Sequence, residues 1–246
     1  MTVALAALLM IGTAQAVPPD RTLAWEVHVG AQTIGTRTAT IHYEQEKGKL
    51  VRSIESFTDL KGTVGPVTFA WQQRLNITAG NGPAAFHSVV KENGTPSEVS
   101  GRWDPSLGWT ITTVDRRKVD TRDIPTSYVD LSTADLMDPG SRYSLFRFTN
   151  VHLLAAETGD VWEGAVEGIG TKEMTLGGKT FDVEGVAWMS PEGRTEFWYS
   201  SEGYLVQYKM RVLGFEVEGV LTAAPPPGVD EFPVIVVTPK LEVSPI

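Results

Sequence analysis

The chain has no cysteine. That excludes a disulfide framework, a thiol nucleophile and attachment of lipid through an N-terminal cysteine. Histidine is nearly as scarce: His28, His42, His87 and His152 are the whole supply. Nucleophilic hydrolysis by a serine needs a positioned base, and no Gly-x-Ser-x-Gly elbow occurs anywhere in the chain. Positive charge is also in deficit. The net charge of −9 and isoelectric point near 5.0 repel phosphate backbones and argue against a nucleic-acid partner. The one basic run, Arg116-Arg117-Lys118, follows Asp115 and precedes Asp120 and Asp123, so it reads as a neutralised, solvated hairpin tip.

Long hydrophobic runs are absent except at the very start. Met1–Ala16 is apolar and ends in small residues at Ala14 and Ala16, the pattern of a cleaved export leader, although no Lys or Arg precedes it. Pro18, Pro19 and Asp20 cut the run short of the roughly 17–25 residues that a membrane helix requires. The expectation is therefore a leader over residues 1–16, export to the periplasm or beyond, and no stable membrane span once the leader is removed. Residues 17–224 then form one domain. Residues 225–246 form a proline-rich tail whose Phe232–Val237 run is expected to lie along a sheet edge or groove of its own domain, or alternatively of a partner.

What the chain does have is alternation. In Tyr204, Val206, Tyr208, Met210 and Val212 apolar residues fall on one side, with Gln207, Lys209 and Arg211 on the other. Val67, Phe69, Trp71, Gln73, Leu75 and Ile77 form a matching run. Side chains alternate faces along a strand, so these are half-buried strands of antiparallel sheet. Strand-like runs also cover 180–189, 195–200, 215–221, 151–157 and 161–168. Glycine-bearing separators such as Asn93-Gly94, Gly177-Gly178 and Leu213-Gly214 punctuate them as hairpins. The regular spacing suits a large, strongly curved antiparallel sheet forming a closed or unclosed barrel, all-β in class. One break is expected: Ser132-Thr133-Ala134-Asp135 has the form of a capping box and Pro139-Gly140 stop the chain, which predicts a short helix near 132–138.

Chemical motifs are thin. His28 and His42 lie on consecutive strands, and Asp130, Asp135 and Asp138 surround the predicted helix, but neither set matches a metal-ligand spacing. No metal, cofactor or catalytic residue is implied. Asp182, Glu184, Glu196, Glu216 and Glu218 fall on the polar faces of their strands, a wet outer surface rather than a glycosidase pair. The aromatic content remains: seven Trp, six Tyr and nine Phe. A curved sheet encloses a volume, and whatever side chains leave unfilled holds a ligand. Phe69, Trp71, Trp198, Tyr204, Tyr208 and Met210 are the candidate wall of such a site.

Residues 128–222 also carry a resemblance. Gly170-Thr171-Lys172-Glu173, the Gly177-Gly178 turn, Lys179–Val183, Phe197–Val206, and Tyr128 followed by Asp135–Pro139 resemble uncharacterised bacterial exported domains. The N-terminal half shares only its Trp25, Gly30 and Ile34-Gly35 pattern. That family is similar in style to the unclosed barrels of periplasmic lipoprotein carriers, whose concave apolar face takes acyl chains. The resemblance implies a non-catalytic domain binding a hydrophobic small molecule, a lipid or a cell-envelope protein. Two other readings stay open: a secreted hydrolase of envelope polymers, and an outer-membrane barrel, against which the proline-rich tail and the even loop lengths both count.

Overall fold

The computed structural model describes residues 17–46, 49–79, 85–116, 118–137, 146, 149–191, 193–212 and 214–226. Within them one sheet holds all the strands. The first half contributes β1 (Arg21–Val29), β2 (Gln32–Glu46), β3 (Lys49–Val64), β4 (Val67–Ala79), β5 (Ala85–Glu92), β6 (Thr95–Asp104), β7 (Gly108–Asp115) and β8 (Lys118–Ile124). The second contributes β9 (Leu131–Ser132), β10 (Asn150–Leu154), β11 (Val161–Leu176), β12 (Lys179–Ser190), β13 (Gly193–Ser200), β14 (Leu205–Val212) and β15 (Phe215–Leu221). Each half is an antiparallel meander, apart from a short parallel pairing of β9 with β10. β1 pairs with β15, so the two ends of the folded chain meet in the middle of the sheet and the edges are β8 and β9.

Hydrogen bonds do not close the sheet; it rolls up like a scroll. Val151, Leu153, Leu154, Ala155 and Ala156 are all buried. Both faces of this stretch are therefore covered, which is the condition of an inner edge rather than a wall. The loop after β10 reaches the concave face of the opposite half. Arg122 donates to the carbonyl of Gly159 and lies 3.3 Å from Asp160 Oδ1. Gly159 packs against Ile111, Thr113 and Val99, and Glu157 accepts from Gln73. Side chains thus seal the seam that the backbone leaves open.

The core fills the concave side. Trp25, Ile41, Ile54, Leu75, Ile111, Val151, Leu154, Val183 and Tyr199 are nearly inaccessible and belong to one apolar cluster. Trp25, on the central strand, also donates its indole N–H to the Leu205 carbonyl at 3.1 Å. Aromatic rings are accommodated by glycines on the neighbouring strand. Phe86 lies over Gly101, Trp198 over Gly185 and Tyr208 over Gly219, each pair in direct cross-strand register. A bulge where Val27 meets Gly35 turns Ile34 inward. Gly35 has φ +156° there, and a β-carbon would fall 2.0 Å from the Asp59 carbonyl oxygen, so no other residue fits.

The expected short helix is present within 132–138, shorter than that span. Asp135–Met137 is a single 3-10 turn, and Ser132 belongs to β9. The capping chemistry itself is present. Asp135 Oδ2 accepts from the Ser132 amide and hydroxyl at 2.8 Å, and the Asp135 amide faces Ser132 Oγ at 3.3 Å. Leu136 and Met137 are both buried, and the turn is held from below by the Tyr199 hydroxyl, which donates to the Leu136 carbonyl at 3.3 Å. Strand β10 stops at Leu154 rather than 157, and β11 runs on to Leu176 through a bulge at Gly168/Gly170. The leader 1–16, Asp138 and the Phe232–Val237 run lie outside the described residues.

Candidate ligand cavity

Inside the scroll lies a cavity of about 670 Å3. It opens at the end carrying the β1–β2, β3–β4, β12–β13 and β14–β15 hairpins, since Val29, Val67, Gly193 and Phe215 all border it. One wall is built by Ile34, Leu60, Phe69 and Trp71 from β2, β3 and β4. The facing wall is Trp188, Phe197, Tyr208 and Met210 from β12, β13 and β14. Trp162 stacks on Trp188 with ring centroids 6.1 Å apart at 25°. That stack is possible because Trp188 lies over Gly164, where a β-carbon would be 2.3 Å from its indole nitrogen. The inner edge of the scroll supplies Leu136, Met137 and Leu153.

The deepest lining residues of β2, β3 and β4 are polar: Arg37, Thr58 and Gln73, which sit in register across the three strands. Gln73 donates to Ser88 Oγ at 3.0 Å and to Glu157 Oε1 at 3.3 Å. The other Glu157 oxygen accepts from the Thr133 hydroxyl at 2.8 Å, and Thr133 Oγ1 accepts from the Ala156 amide at 2.9 Å. Arg37 directs Nε to Ser56 Oγ at 3.5 Å, with its guanidinium 5.9 Å from the Tyr208 ring centroid. Burial raises the phenol of Tyr208 above its ordinary value, and the charge of Arg37 and its hydrogen bond to the phenol partly offset this.

Of the six residues singled out from the sequence, the fold brings Phe69, Trp71, Tyr208 and Met210 to this cavity. Trp198 and Tyr204 are placed elsewhere, which corrects the expectation. Trp198 is on the opposite face of β13 from Phe197, beneath the Lys172 ammonium, 3.9 Å from its ring centroid. There Lys172 donates to Gln207 and Gln207 to Glu218, which lies 3.4 Å from Lys209. Burial pulls the Lys172 pKa down, Lys209 adds to this, and Glu218 and Glu196 oppose it. Tyr204 precedes a bulge: Trp198 pairs with Gln207 but Tyr199 with Leu205. Alternation counted back from Tyr208 therefore fails, Leu205 takes the cavity position, and Tyr204 is buried at the far end beside Tyr43 and Arg21.

No protein-family model matches the chain, and no curated protein matches its sequence. Among solved structures it is similar to a beta-barrel-like protein of a domain of unknown function, DUF1849, from Brucella abortus. The TM-score is 0.55 at 11% identity, over 85% of this chain and 98% of that one. The two share a fold. At that identity the likeness speaks for architecture alone, and it agrees with the all-β, barrel-like reading of an uncharacterised domain.

The site residues that sequence reasoning passed over are Arg37, Glu157, Trp162, Trp188 and Phe197. Gln73 was visible as the polar member of an otherwise apolar face, and that was the available signal for the polar floor. Glu157 could not be found this way, because its place depends on the scroll's inner edge meeting β4. The four histidines are dispersed. Each sits near its own exposed carboxylate, His28 with Glu26, His42 with Asp20, His87 with Glu98 and His152 with Asp130, and none lines the cavity. Among the described residues no three potential metal ligands come together.

Proposed function

We propose that this is an exported, non-catalytic domain of the cell envelope that holds one hydrophobic small molecule inside its rolled sheet. The observation carrying the reading is the cavity. Its volume lies within the ~300–1,000 Å3 range of small-molecule sites, its walls are mostly aliphatic and aromatic, and it opens at one end. Mostly apolar walls with a few convergent polar groups are the general composition of ligand sites. A filled core would have served stability better, because apolar cavities are destabilising. Retention of this one is therefore best explained by an occupant. The leader-like apolar pattern of residues 1–16 and the resemblance to exported domains support the location.

Native mass spectrometry of full-length protein purified from its own host, with gentle desolvation, tests the reading. A bound species that is released by organic solvent and whose removal changes the fluorescence of Trp71, Trp162 and Trp188 is the expected result. Protein that carries no such species, and whose tryptophan fluorescence ignores added apolar probes, overturns it.

A further inference from the structure

The polar floor of the cavity is not evenly satisfied. Gln73, Ser88, Glu157 and Thr133 bond one another, and both Glu157 oxygens are occupied by Gln73 and Thr133. That arrangement anchors the carboxylate to β4 and to the scroll's inner edge. Arg37 is different. Its contacts are one long hydrogen bond to Ser56, the ring of Tyr208 and a hydrogen bond to the Tyr208 hydroxyl, all neutral partners, and no carboxylate comes within 4.0 Å of it among the described residues. A guanidinium is always charged and presents a planar fork of donors that matches a carboxylate in a bidentate pair. Arg37 is half-buried, and a ligand acid would give it the counter-anion that the cavity wall lacks.

Two further features narrow the chemistry. Arg37 is the one cationic side chain on the floor, with Glu157 sharing that floor, so the site suits a single negative charge better than two. Above Arg37 toward the mouth, the walls are Leu60, Trp71, Phe69, Met210 and Phe215; Glu92, Arg194 and Arg211 also line the cavity near its hairpin end, where Arg194 is paired with Glu167 and Glu196. Arg194 is already ion-paired and Arg211 is exposed to water, so Arg37 is the lining cation left for a head group, with the tail along the apolar walls toward the opening.

We infer that the occupant is a single-chain carboxylic acid amphiphile, of the long-chain fatty acid class, with its carboxylate on Arg37 and its chain running to the hairpin mouth. This rests on the cavity being a ligand site. The test uses the full chain, stripped of bound material, and measures binding of palmitate, hexadecanol and hexadecyl phosphate by tryptophan quenching and calorimetry. Palmitate is expected to bind at least tenfold more tightly than hexadecanol. Arg37→Gln should lose at least tenfold for palmitate while leaving hexadecanol unchanged, and Arg37→Lys, which keeps charge but not the fork, should fall between. Thermal melts of both variants establish that they fold. Equal affinity for acid and alcohol, or equal loss of both in Arg37→Gln, overturns the carboxylate assignment while leaving the cavity reading intact. Tighter binding of hexadecyl phosphate than palmitate overturns it in favour of a phosphate head. Failure of all three probes, with no species seen by native mass spectrometry, removes the cavity reading itself.

Discussion

Tyr208 shows how a single residue shapes the cavity. Its ring lies flat over Gly219 on the next strand, and a β-carbon at that glycine would stand 2.2 Å from two ring carbons. Gly219→Ala therefore forces the ring off the sheet and into the space above Arg37. Overpacking of this kind costs about 1–3 kcal/mol. Urea denaturation should report a loss of that size, together with weaker binding of apolar probes. A variant with unchanged stability and binding would show that the ring has room to move aside. The glycine–aromatic pairs also mark a limit of legibility. Alternation in the sequence correctly gave the inward direction of Phe69, Trp71, Tyr208 and Met210, because facing is a local property of a strand. Which glycine lies opposite which ring depends on register, and register follows from the whole set of pairings. Trp198 was misplaced for a related reason: a tryptophan on either face of a strand looks equally apolar until its cover, here Lys172, is known.

At the scale of elements, the decisive piece is the turn from Ala155 to Asp160 rather than any strand. It is fastened internally by Thr158 and Gly159 amides donating to the Ala155 carbonyl, and by the Ala155 amide donating to Asp160. Externally it carries Arg122, Gln73 and Thr133 contacts from three parts of the sheet. Gly159 has φ +79°, and a β-carbon would press at 3.0 Å against Ile111 and Thr113. Gly159→Val combines left-handed strain, which for a side-chain-bearing residue costs about 1–2 kcal/mol, with a clash at the seam. Stability is expected to fall by about 2–4 kcal/mol. Amide exchange should rise selectively in β10 and this turn while the β1–β15 pairing stays protected. Uniform exchange across the sheet would mean the seam is not a separate unit. Sequence patterning set out the strands on either side of this turn but extended β10 through it, since Ala155 and Ala156 are apolar. They are buried because the inner edge of a scroll is covered on both faces, a circumstance that periodicity alone does not encode.

For the molecule as a whole, the contents of the rolled sheet decide its response to alkali. Burial raises the phenols of Tyr199, Tyr204 and Tyr208; charges on Arg37 or Arg21 only partly counter it, and for Tyr204 the Tyr43 hydroxyl also helps. Tyrosine in an unfolded chain ionises near ~10. Above that value the unfolded chain loses these protons while the folded one keeps them, so folding stability, fully present below about pH 10, declines as pH rises further. Each unit by which a folded value is raised corresponds to about 1.4 kcal/mol of stability. Thermal melts across the alkaline range, read by near-ultraviolet circular dichroism alongside tyrosinate absorbance, give the check. The buried phenols should ionise together with cooperative loss of the tertiary signal, and Tyr208→Phe should shallow the decline. The result also bears on function. If Tyr208 ionises while the fold stays intact, water reaches the cavity wall freely, and an apolar tail would gain little by entering. Resistance to ionisation until unfolding instead requires the lumen to remain of low polarity, the physical condition under which one guanidinium at its floor selects an acid over an alcohol.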